Sequence, residues 1–186
     1  MSNTLKPDAI NAGQPEQINK KVKLPRQTYI IRCKGVEFKF SNTSGNPMFV
    51  LTWEICKPET INVAGRIYSV GGVELRKQYL TLTEKAKNRF FDIQRMFGIE
   101  PGVDLDNPME VGNQFVGKVA RAVCGSDEYV QRAELSQEEI DAGKKPEDAE
   151  VLTYEDGSPI KGYTRELIEL VQASTESVPP MKTDSM

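Results

Sequence analysis

The chain has 186 residues, 38% hydrophobic and 27% charged, a balance that fits one globular domain with appended segments. No run approaches the ~18 consecutive apolar residues that span a bilayer, and residues 1–13 lack the apolar core of a secretory leader, so a cytoplasmic protein with no membrane partner is expected. There is no histidine, which removes Ser-His-Asp and Cys-His catalysis and every His-ligated metal site; with no P-loop and no G-x-G-x-x-G either, no catalytic residue, metal or cofactor is expected.

The net charge of −3 hides an asymmetry. Residues 1–124 carry 18 Lys and Arg against 12 Asp and Glu, whereas residues 125–186 carry 6 against 15. The basic excess is densest over residues 20–39, where Lys20, Lys21, Lys23, Arg26, Arg32, Lys34 and Lys39 face a lone Glu37. Such a region suits a polyanion, and an acidic half suits a protein partner or self-regulation. Cys33, Cys56 and Cys124 include no C-x-x-C pair, so reduced, buried thiols are expected rather than a disulfide framework or zinc knuckle.

In chain order, residues 1–24 lack periodicity and read as a flexible basic arm. Residues 28–40 predict a strand in which Tyr29, Ile31 and Cys33 face the core. After Gly35 the phase changes to Val36, Phe38 and Phe40, the mark of a β-bulge. Residues 41–47 form a turn by composition. In the next strand, residues 48–56, Phe49, Leu51, Trp53 and Ile55 share the core face and Met48, Val50, Thr52 and Glu54 the other. Residues 66–70 and 77–83 give a third strand region broken at Gly71-Gly72. Ala86, Phe90, Ile93 and Phe97 predict a helix over 83–97, with Thr83 as N-cap and Gly98 ending it. Residues 114–124 predict a fourth strand. The acidic insertion, 125–149, holds one short helix opened by Ser136 with Glu139. Asp156-Gly157 signals a hairpin turn, residues 163–173 a closing helix, and 174–186 a flexible tail.

Three strands, a helix and two further strands is the arrangement of a five-stranded OB-type Greek-key barrel, here over residues 25–173 with a C-terminal helix. The segments TYIIRCKGVEFKFSNTSGNPMFVLTWEI, YLTLTEKAKNRFFDIQRMFGI and FVGKVARAV resemble phage-encoded OB-fold single-stranded DNA-binding proteins. The resemblance covers residues 25–124 and implies a role in phage DNA replication or recombination, inside the host cytoplasm. The run PPMKTDSM is not the acidic or aromatic ending that many such tails carry.

Single-strand binders combine a basic groove with aromatic faces on which bases stack. The face opposite the core offers Arg32, Lys34 and Lys39 beside Met48, Val50 and Thr52, with Lys20, Lys21, Lys23 and Arg26 on the arm. Tyr68 and Tyr79, near Arg66, Arg76 and Lys77, are the stacking candidates, weighed evenly against burial in the sheet; Phe38 and Phe40 are assigned to the core. The acidic half is a candidate surface for replication or recombination proteins. The competing readings are a non-enzymatic virion assembly protein, a Mg2+-dependent nuclease, and an acidic inhibitor of a host nucleic-acid enzyme.

Overall fold

The computed structural model describes residues 15–181. The fold is mainly β, in two sheets. The strands are β1 (Glu16–Gln17), β2 (Gln27–Phe40), β3 (Pro47–Lys57), β4 (Thr60–Val63), β5 (Arg66–Ser69), β6 (Gln78–Thr81), β7 (Val119–Val130) and β8 (Lys161–Ala173). Helices α1 (Lys87–Met96) and α2 (Pro108–Phe115) lie between β6 and β7, and α3 (Gln137–Asp141) between β7 and β8. The larger sheet runs β6-β3-β2-β7-β8 and the smaller β1-β5-β4. The larger sheet is not a closed barrel. One backbone bond links the segment just before β6 to β8, from the Arg76 N–H to the Arg165 carbonyl at 2.6 Å.

The period-2 pattern of the first two strands determines the core. Tyr29, Ile31 and Cys33 of β2 and Phe49, Leu51, Trp53 and Ile55 of β3 are all buried. The register slips between Cys33 and Gly35, so the bulge falls at the predicted glycine. Beyond it Val36 and Phe38 pack on the core, but Phe40, assigned there by the same alternation, is 62% exposed because the strand has outrun the helix layer.

Helix α1 covers this sheet with Phe90 and Ile93. Phe90 stacks on Phe49 at 4.8 Å, and Phe97 stacks on Trp53 at 5.9 Å. Gln94 is fully buried, and its amide both donates to and accepts from Gly102, so its polar atoms are satisfied. The helix starts later than expected. Thr83 caps a preceding turn through the Ala86 N–H rather than α1 itself.

Four further differences have physical causes. Helix α2 covers residues 108–113, to which the sequence assigns no element, and Gln114 and Phe115, read as the start of the fourth strand. Pro108 opens it, Phe115 anchors it in the core, and Gly112 allows the Phe49 ring close approach, since a Cβ there would lie 3.1 Å from it. The closing helix is instead β8, antiparallel to β7 from Lys161 to Ala173. Leu167 and Leu170 mimic helical spacing because a bulge lies between them. Leu167 pairs with Cys124 and Leu170 with Ala122, so both face the core. Residues 125–130 belong to β7, not to an insertion, which therefore begins at residue 131.

The fourth difference concerns the ends. From Glu16 onward the arm is docked: Ile18 and Leu24 are buried, the Ile18 N–H donates to the Ser69 carbonyl, and the Tyr163 N–H donates to that of Lys20. The tail is held from Ser174 to Pro179 by contacts described below. Residues 1–14 of the expected arm and 182–186 of the expected tail lie outside the described residues.

Candidate nucleic-acid interface

Strand register defines the surface opposite the core. Arg32 lies beside Glu54, Ile30 beside Arg121, Lys39 beside Met48, and Val50 between Glu37 and Tyr79. The expected outward set of β2 and β3 is therefore brought together, and Tyr79 of β6 joins it. Tyr79 is half-exposed, and the Lys39 ammonium sits 5.6 Å from its ring centre.

Arg32 departs most from expectation. It is buried, its Nη2 lies 2.5 Å from Glu54 Oε1, and its Nε donates to the same oxygen at 3.0 Å. Its Nη1 donates to the Pro179 carbonyl. Arg32 is thus an internal ion-pair partner rather than an open phosphate ligand. Lys34, half-exposed, pairs with Glu74 at 3.0 Å.

Tyr68 is not on this face. It belongs to β5 in the smaller sheet and is buried in the core cluster, which removes it as a stacking surface. Arg66, on the same strand, is exposed and lies 3.5 Å from Glu16. Arg76 and Lys77 are exposed before β6, with Arg76 3.3 Å from Glu166. Lys20, Lys21, Lys23 and Arg26 are exposed along the docked segment next to β7 and β8, at the far end of the strand order from Tyr79.

Sequence reasoning missed Lys57 and Arg121. Both sit opposite Ile30 and so share the outward face with Arg32. Alternation of Ala120, Ala122 and Cys124 toward the core would have exposed Arg121 as an outward residue. It also missed what covers them. Glu176 lies 3.6 Å from Lys57 and 3.3 Å from Arg121, and the Ser174 N–H donates to the Val119 carbonyl. The tail then passes Pro179 and Pro180 over a cleft of about 470 Å³ lined by Gln17, Arg32, Lys34, Glu54, Ser69 and Gly72.

All three cysteines are buried and free, Cys33 and Cys124 within the core cluster and Cys56 outside it. Burial pushes the thiols of Cys33 and Cys124 up to about 12 and that of Cys56 up as well, so none is a nucleophile at neutral pH. No helix among the described residues is long and apolar enough to cross a membrane. Compared with models of known protein families and with the curated proteins, the chain matches none.

Proposed function

We propose that the protein binds single-stranded DNA, without strong sequence preference, through the outward face of β6, β3, β2 and β7. The observation that carries this reading is Tyr79, an exposed aromatic with the Lys39 ammonium over one face of its ring, on a face that also carries Lys34, Lys57 and Arg121. Bases stack on aromatic faces and phosphates pair with cations, and neither interaction reads sequence.

The strand order supports an OB-type barrel left open on one side. Four strands of the larger sheet lie in the spatial order fourth, first, second, third, which is that of a Greek key, and α1 follows the third. OB-folds bind oligonucleotides on the face of their second and third strands, here β3 and β6, where Tyr79 of β6 is the exposed aromatic.

Fluorescence anisotropy with a labelled oligothymidylate and a blunt duplex of equal length, at two salt concentrations, tests the proposal. Tighter binding to the single strand, weakening as salt rises, is expected. Equal or tighter binding to the duplex overturns it.

A further inference from the structure

The chain between β7 and β8 builds a lobe the proposed DNA face does not use. Arg132 bridges Val151 and Thr153 bridges Pro159, and α3 falls in the chain between Arg132 and Val151. The lobe is rigidly specified. Ser136 and Glu139 form a reciprocal capping box, and Lys144 ties to Glu139 at 2.8 Å. Arg132 donates to the Ala149 carbonyl at 2.7 Å.

Between α3 and the end of β7 lies an open groove of about 760 Å³, lined on its apolar side by Tyr129, Val130, Leu135 and Ile140. Tyr129 is 39% exposed and Ile140 51%. Tyr129 is held in place by Gly162, since a Cβ at that position would lie 2.5 Å from its ring. An exposed aromatic fixed against a glycine backbone, facing an exposed isoleucine, is a preformed anchor pocket.

Charge decides what the groove takes. Residues 125–160 carry eleven Asp and Glu against three Lys and Arg. Both cations that line the groove, Arg132 and Lys144, are engaged by the lobe itself, whereas Glu134 and Glu147 on its rim hold no ion pair among the described residues. A polyanion is repelled here, and a cationic chain is attracted.

We propose that this groove docks a basic segment of a partner protein, inserting an apolar side chain between Tyr129 and Ile140 with Lys or Arg against Glu134 and Glu147. An amphipathic helix with one apolar and one basic face meets that description. The interaction is independent of the DNA face and separates the two ends of the sheet by task.

The test uses the full chain and a labelled amphipathic peptide with leucines on one face and lysines on the other. Two controls replace the leucines by serines or the lysines by glutamates. The leucine–lysine peptide is expected to bind at least about tenfold more tightly than either control. Ile140→Asp, at an exposed position that leaves the fold intact, is expected to weaken it by about tenfold, as is Gly162→Ala, which displaces Tyr129. Phe40→Ala, an exposed aromatic elsewhere, is expected to leave it unchanged. Single-strand binding measured on the same samples is expected to be unaffected by Ile140→Asp, so failure of the groove and failure of the DNA reading are separate results. The proposal is overturned if the serine control binds equally well, or if Ile140→Asp has no effect. It is also overturned if the free protein dimerises through this groove, or if a peptide of residues 1–14 displaces the probe.

Discussion

At the scale of single residues, stacking, charge and burial separate by mutation. Tyr79→Ala is expected to lower single-strand affinity by ~1–3 kcal/mol while leaving the slope of log K against log salt nearly unchanged, because stacking releases few counterions. Lys34→Ala is expected to make that slope shallower by about 0.7, the value for one phosphate contact on a single strand. Arg32→Ala is a different experiment. Removing it leaves Glu54 buried and unpaired, so a loss of ~3–5 kcal/mol of folding stability is expected, read as a lower melting temperature before any binding effect. Ala64 offers the opposite sign. It and Gly65 form the two-residue link between β4 and β5, both at positive φ, 52° and 83°. This is the geometry that favours Asn-Gly, so Ala64→Asn is expected to raise the melting temperature.

Among the elements, the tail from Ser174 to Pro180 is the one that lies on the proposed DNA face. Glu176 pairs with both Lys57 and Arg121 and offsets one of their two charges, and the two prolines line the cleft beside Arg32 and Lys34. Truncation after Ala173 is expected to tighten single-strand binding and to steepen the salt slope by about 0.7 for each cation released. Glu176→Gln is expected to reproduce part of that change. Unaltered affinity and slope in both variants, measured by anisotropy, would remove the tail from the mechanism. β8 shows how an element's identity is decided. Residues 163–173 have helix-like spacing, yet β7 offers an unpaired edge along its whole length, and pairing with it satisfies the backbone while placing Leu167 and Leu170 on the core.

For the molecule as a whole, stability rests on the aromatic layer joining α1, α2 and the larger sheet. Phe90 packs on both Phe49 and Phe115, and Trp53 on Phe97, with the Trp53 indole N–H donating to Gln78 Oε1 at 3.0 Å. Trp53→Ala is expected to cost ~3–5 kcal/mol, with binding lost only through unfolding. Alkaline pH attacks the same core. Cys33 and Cys124 hold their protons up to about 12 in the folded chain against an ordinary value near 9. Above pH 9 the unfolded chain therefore binds fewer protons than the folded one, and stability is lost as pH rises from 9 towards 12. Each thiol contributes on the order of 1 kcal/mol per pH unit across that window. Thermal melts at pH 8 and 10.5, with and without Cys→Ala replacements at both sites, measure it.

The sequence by itself determined the elements whose signal is local. Alternation determined which faces of β2 and β3 are buried, Gly35 the bulge, helical spacing the core face of α1, and Ser136 with Glu139 the start of α3. It also placed Lys34 and Lys39 on the outward side, but left Tyr79 even between exposure and burial, which the structure decides for exposure. Tertiary structure alone decided the rest, because the deciding partner lies far along the chain. Tyr68 alternates like an outward tyrosine but is buried where β5 meets the core, and Arg32 reads as a phosphate ligand but faces Glu54, twenty-two residues on. The link from Glu176 to Lys57 and Arg121 joins residues up to 119 positions apart, beyond the reach of any local pattern. Alternation reports which side of a strand a residue occupies; only packing reports what already stands there.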